Sequence, residues 1–108
     1  MTDAQENIEC PITAMLELIG GKWKPIILYN LTSGTRRFGQ IDVRIPGISR
    51  KVLTEQLRQL EKDGLIKRKE YNEIPPRVEY SLTELGESLS PVFKEMASWG
   101  KEHVLGNG

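Results

Sequence analysis

The stretch GISRKVLTEQLRQLEKDGLIKRKEY, from Gly47 to Tyr71, decides the fold. It opens on a tight corner, because Pro46 disfavours helix at Ile45 and Gly47 permits the turn. Ser49 is a good N-cap for the helix that follows. Leu53, Leu57 and Leu60 recur at spacings of four and three and form one apolar stripe. The opposite face carries Lys51, Glu55, Arg58 and Lys62, flanked by Arg50 and Thr54. Gly64 closes the helix, and Leu65–Asn72 then reads as a strand, although its KRKE run weakens the alternation. An amphipathic helix with a cationic outer face therefore leads directly into a basic strand.

Downstream, EIPP is a stiff connection. Arg77–Leu82 then alternates cleanly, with Val78, Tyr80 and Leu82 on one side and Arg77, Glu79 and Ser81 on the other. The two strands read as a hairpin. Thr83 is placed to cap a last helix, whose stripe runs through Leu85, Leu89, Val92, Phe93, Met96 and Trp99. Pro91 falls inside it, so a break is expected there, with Ser90 as a second cap.

Upstream, Ile12, Met15, Leu16 and Ile19 mark a short helix over Pro11–Ile19, stopped by Gly20-Gly21. A second helix begins near Lys22 with Pro25 in its first turn, where a missing N–H matters little. Trp23, Ile26, Ile27 and Leu31 are expected on its buried side, and Ser33-Gly34 ends it. A third short helix spans roughly Arg37–Arg44, with Phe38 and Ile41 turned inward. The expected class is mainly α with a small β-hairpin wing (α+β): a winged helix-turn-helix with flanking dimerisation helices. The expected organisation is a single domain over 1–108. Within it, 1–20 form an N-terminal arm and helix, 21–82 the winged helix-turn-helix, and 83–108 the C-terminal dimerisation helix.

The bulk numbers narrow the function. A chain of 108 residues suits one modest core. Its 15 basic and 15 acidic residues cancel, so no global field attracts a polyanion. The charges are nevertheless segregated. Residues 1–20 carry a net −4, residues 36–69 a net +6, and residues 81–108 a net −2. A basic middle between acidic ends fits a local polyanion site, or a solvated surface with chance clustering. The single cysteine excludes an internal disulfide framework. No apolar run reaches membrane-spanning length, and the polar, acidic start is unlike a signal peptide, so a soluble, cytoplasmic protein is the expectation.

In a winged helix-turn-helix the helix after the turn enters the major groove and the wing reaches the adjacent backbone or minor groove. Arg50, Lys51, Thr54 and Arg58 would line that helix. Arg can grip guanine with two hydrogen bonds, and Thr54 can touch a thymine methyl. Ser49 is an N-cap or a phosphate donor. Lys67, Arg68 and Lys69 suit diffuse phosphate contacts. Arg77 suits a phosphate or a narrow minor groove, or else an ion pair with a glutamate such as Glu70 or Glu73. Cys10 stands just before a helix start, which lowers a thiol pKa, while Glu6 and Glu9 nearby raise it. It is either a reactive thiol or a packed small hydrophobe. His103 is the only histidine and lies far from any cysteine in sequence, so no metal, cofactor or catalytic set is expected. A winged module that binds protein instead of DNA would carry an apolar outer face on the fourth helix; this face is cationic.

With these residues placed, the chain closely resembles the HxlR family of bacterial and archaeal transcriptional regulators. The resemblance runs from Cys10-Pro11 through IGGKW at Ile19–Trp23 and RF at Arg37-Phe38. It continues through GIS.K.LT..LR.LE.DGLI.R..Y and PPRVEY.LT..G to Trp99-Gly100, about 90 of the 108 residues. It departs at FGQI, Phe38–Ile41, where the family usually has glutamate and leucine in the last two places. The resemblance implies a homodimer that binds palindromic operator DNA. For Cys10 it implies a role like that of the N-terminal cysteine through which several members sense oxidants or electrophiles.

Overall fold

The computed structural model of the protein describes residues 10–106; Asp3, Glu6 and Glu9 of the acidic arm lie outside the described residues. The elements in order are α1 (Pro11–Ile19), α2 (Trp23–Leu31), β1 (Arg36–Arg37), α3 (Phe38–Arg44), α4 (Arg50–Lys62), β2 (Ile66–Tyr71), β3 (Arg77–Leu82), α5 (Glu84–Glu87) and α6 (Ser90–His103). Three antiparallel strands form one sheet in the order β1-β3-β2, which among the described residues leaves β2 on an open edge.

Local chemistry sets the helix ends. Cys10, Ser49 and Thr83 all have extended backbones, and each side chain accepts a hydrogen bond from the N–H three residues on. This satisfies donors that the first helical turn leaves without partners. Gln40 Oε1 accepts from the Arg37 N–H at 2.8 Å, so the glutamine in FGQI still supplies a capping oxygen to α3. At the end of α4, Gly64 adopts φ 80°, a left-handed conformation that favours glycine, and the Leu65 N–H reaches back to Leu60 O at 3.0 Å. The last helix does break, but at Ser88-Leu89, and Pro91 sits inside the first turn of α6. Leu89 occupies the cap position of α6 and Ser90 is its first residue, one place earlier than the cap expected at Ser90.

The core gathers Ile27, Leu28 and Leu31 of α2, Ile41 and Ile45 around α3, the α4 stripe Leu53, Leu57 and Leu60, and Leu65, Ile66, Leu82 and Phe93. The α4 stripe is buried as its spacing implied. Helix α2 packs on α3, α4, α6 and β3 and so lies at the centre. Two readings need correction. Ile26 is 37 % exposed and Leu28 is buried in its stead. At 100° per residue, Ile26 sits roughly 150° from the centre of the Ile27–Leu28–Leu31 stripe, so it cannot share that face. The sheet also has a strand beyond the expected hairpin: Arg36 pairs with Tyr80 and Arg37 with Glu79. Five of the six β3 residues are partly buried whichever way they point, which blurs the alternation read from the sequence.

Thr83 binds three elements together. Its hydroxyl donates to Gly64 O at 2.6 Å and accepts from the Gly86 N–H at 3.1 Å, while its own N–H donates to Leu65 O at 3.1 Å. Gly86 is buried against the Leu65 carbonyl, and a Cβ there would collide with that backbone. The wing base, the end of α4 and the start of α5 are therefore held in one fixed relation.

Candidate nucleic-acid interface

Helix α4 presents Arg50, Lys51, Thr54, Glu55, Arg58 and Lys62 to solvent, while its leucines face the core. Arg50 is fixed at the first turn. Its Nη1 lies 3.2 Å from Asp42 Oδ2 of α3, and its guanidinium sits 4.7 Å from the centre of the Phe38 ring. With 71 % of its side chain exposed, this pair contributes little to stability but restrains the arginine's direction. The Thr54 hydroxyl donates to Arg50 O at 2.8 Å, back along its own helix.

Between α4 and the wing lies a polar cleft of about 360 Å³, lined by Thr54, Arg58, Glu61, Arg68 and Tyr80. Arg68 and Tyr80 are cross-strand partners. Hydrogen bonding to the Tyr80 hydroxyl, opposed by burial and helped by the charge of Glu70, raises the Arg68 pKa above its ordinary value. The Glu70 carboxylate lies 3.3 Å away. Arg58 and Arg68 thus bring charge to one cleft from two different elements. Strand alternation puts Lys67 and Lys69 on the other face of β2, with the Lys69 ammonium 4.9 Å from the Tyr71 ring centre.

Arg77 is engaged within the wing. Its guanidinium stacks 3.8 Å from the Tyr71 ring centre, opposite it in register. Its Nη atoms lie 3.0 Å from Glu73 Oε2 and 3.3 Å from Glu79 Oε2. Of the two glutamates the sequence suggested, Glu73 makes this pair and Glu70 turns to Arg68. The Arg77 Nε is buried without an acceptor among the described residues. Ser49 is exposed, and its side chain accepts from the Val52 N–H at 3.1 Å.

Cys10 stands apart, partly exposed at the start of α1. Its sulfur accepts from the Thr13 N–H at 3.5 Å. The Thr13 hydroxyl first, then the backbone N–H groups of Thr13 and Ile12, hold the thiol below its ordinary pKa. Glu6 and Glu9, expected to act the other way, lie outside the described residues. Among the described residues no group of three or more His, Cys, Asp or Glu side chains could hold a metal ion, and no helix is long and apolar enough to cross a membrane.

Sequence reasoning did not assign Asp42, Phe38, Glu61 or Tyr80 to this surface. Tyr80 was legible only as an inward strand position; its place beside Arg68 follows from the β2–β3 register. Asp42 and Phe38 reach Arg50 through the α3–α4 turn, whose angle no local pattern specifies.

Comparison with known proteins gives a consistent picture. A model of the HxlR-like helix-turn-helix matches residues 18–106. The HTH-type transcriptional regulator YdeP of Bacillus subtilis is 49 % identical over 94 residues, covering 87 % of this chain and 73 % of that protein. The oxidised form of the redox regulator HypR superposes with a TM-score of 0.83 at 45 % identity, covering 87 % of this chain and 97 % of the other. The diamide-treated form of YodB from B. subtilis gives 0.71 at 37 % identity, covering 89 % and 96 %.

Proposed function

Because the chain belongs to the HxlR-like helix-turn-helix family and is a transcriptional regulator of the helix-turn-helix type, we propose that it binds double-stranded operator DNA in the cytoplasm as a homodimer. The observation that carries this reading is the polar cleft between α4 and the wing, lined by Arg58 and Arg68, on a helix whose opposite face is a buried leucine stripe. Arg50, Lys51, Thr54 and Arg58 read base edges in the major groove. Ser49, Lys67 and Arg68 meet phosphates. Arg77 acts in this reading by stiffening the wing, since both its Nη atoms are already paired.

The dimer is supported by apolar surface at both ends of the chain. Ile12 and Leu16 of α1 and Val92, Met96 and Trp99 of α6 are exposed, whereas Ile19 and Phe93 of the same stripes enter the core. An apolar groove of about 680 Å³ between α2 and α6 includes Ile26, Tyr29, Met96 and Leu105. A twofold pairing of terminal helices covers these faces and matches a palindromic operator with half-sites about 34 Å apart.

Readers and anchors separate in salt titrations on a site selected from random duplexes. Arg58→Ala is expected to lose ~1–3 kcal/mol on that site and to relax base preference. Lys67→Ala is expected to weaken all duplexes about equally and to make the salt slope shallower by about one. Identical behaviour of the two variants would remove the distinction.

A second element of the reading is redox control through Cys10. Its lowered thiol pKa at the cap of α1 favours the reactive thiolate, and YodB and HypR are known in diamide-treated and oxidised forms. With one cysteine in the chain, oxidation proceeds through a bridge between two Cys10 residues across the dimer or through a small-thiol adduct. Either change alters α1, which lies in the proposed interface, and so the angle between the DNA-binding halves. Diamide or a quinone is expected to weaken operator binding in wild type and to leave Cys10→Ser unaffected. Unchanged wild-type affinity with Cys10 fully modified by mass spectrometry would show that no switch exists.

A further inference from the structure

Away from the α4–wing cleft, a polar cavity of about 330 Å³ is lined by Asn30, Thr32 and Ser33 at the end of α2, Arg36 of β1, Arg44 of α3 and Lys94 of α6. Tyr29 completes it and also borders the apolar groove beside α6. Three cations from three separate elements converge there, and no carboxylate lines it. Among the described residues, none of the three cations has an ion-pair partner within 4.0 Å. Most exposed cations of the described residues are likewise unpaired; what sets this cavity apart is that three of them, from separate elements, line one space with no carboxylate among its lining residues.

The cavity is also partly preorganised. Arg36 Nε donates to Asn30 O at 3.1 Å and its Nη2 to Ser33 Oγ at 2.7 Å. A guanidinium has five N–H donors, so three remain free on an arginine whose orientation is already set. Like charges lining one cavity repel one another, and a bound dianion offsets that repulsion. Two guanidinium forks and one ammonium match a phosphate group, whereas a lone carboxylate is satisfied by one arginine.

We propose that this cavity binds the phosphate group of a small phosphorylated molecule. The alternative source of phosphate, the DNA backbone, is disfavoured by position. On α3, Asp42 turns toward Arg50 of the DNA-facing helix. Arg44 lies two residues further, about 160° around the helix, on the opposite flank. Lys94 comes from α6, which contributes nothing to the α4–wing cleft. A phosphate held here links α6 to α2, β1 and α3, the junction between the terminal helix and the winged core. Binding itself stands without any assumption about DNA. Its use as a regulatory signal rests on the DNA-binding reading above.

The test titrates inorganic phosphate into the full-length protein at constant ionic strength, with sodium chloride as the control, and follows heat and backbone amide shifts. Wild type is expected to saturate, with shifts concentrated at Ser33, Arg36, Arg44 and Lys94. Arg44→Gln and Lys94→Gln, both at exposed positions, are each expected to weaken binding by about tenfold with unchanged thermal melting. Generic duplex binding is measured in parallel and should be the same in both variants as in wild type. Non-saturating shifts, or equal affinity in wild type and both variants, overturn the site. A loss of duplex affinity in the variants without saturable phosphate binding overturns it too, by assigning the cations to the DNA backbone. Saturable phosphate binding in a protein that ignores DNA would uphold the site and remove the DNA-binding reading instead.

Discussion

Met96→Glu is expected to lower operator affinity by roughly 10²–10⁴-fold while leaving each domain folded. Met96 is 55 % exposed on α6, at the edge of the apolar groove shared with α2. In an isolated chain a glutamate there meets water, and exposed substitutions of this kind change stability by only about ±0.5 kcal/mol. In a twofold interface the same position occurs twice, so two carboxylates would be buried against apolar surface without partners. The protomers would separate. Each winged domain would then hold one half-site alone and lose the effective concentration supplied by its twin. Sedimentation at micromolar concentration reads the assembly, far-UV circular dichroism reads the fold, and a selected palindromic site reads the affinity. A variant that stays dimeric, or a wild type that sediments as a monomer, would remove the terminal helices from the interface.

Leu57→Ala is expected to destabilise the fold by ~2–5 kcal/mol, which is a large share of the ~5–15 kcal/mol typical of a domain. Leu57 is 2 % exposed on the middle turn of α4, between Leu53 and Leu60. The change removes buried apolar atoms and leaves a cavity where α4 meets α2 and β2, the elements it packs on most. Urea unfolding should show a lower midpoint with little change in slope. A loss below about 1 kcal/mol would mean that the site collapses freely around alanine and that the leucine stripe does not anchor α4. Under the proposed function, base recognition would depend on the same stripe, because the outward arginines are only as well placed as the leucines behind them.

Most of α4 was legible because its instructions are local: a serine cap, a stripe of leucines at four and three, and a glycine stop. The wing strands were legible for the same reason. Strand β1 was not. Two arginines carry no strand signal of their own, and they become a strand because Tyr80 and Glu79, far along the chain, offer an edge to pair with. Ile26 and Ile27 are chemically alike and adjacent, so composition cannot say which one faces inward; the packing of α2 on several neighbours decides for Ile27. In the candidate interface, the exposed cations of α4 were readable from helical geometry alone. The engagement of Arg77 with Tyr71, Glu73 and Glu79 required the strand register. The meeting of Arg36, Arg44 and Lys94 required the tertiary fold, since these residues share no element.

The open edge of the sheet has a further meaning. Strand β2 is six residues long, and among the described residues its outer side has no partner strand, so its free N–H and C=O groups are a template for pairing with another chain. The residues that deter such pairing are Lys67, Arg68 and Lys69, exposed cations in the middle of the strand, because two such edges brought together would set like charges opposite one another. The cations proposed for phosphate contact therefore also act as gatekeepers against aggregation. A neutral wing would expose a sticky edge and, under the proposed function, would also weaken DNA binding, so that reading ties colloidal stability to nucleic-acid affinity on this strand.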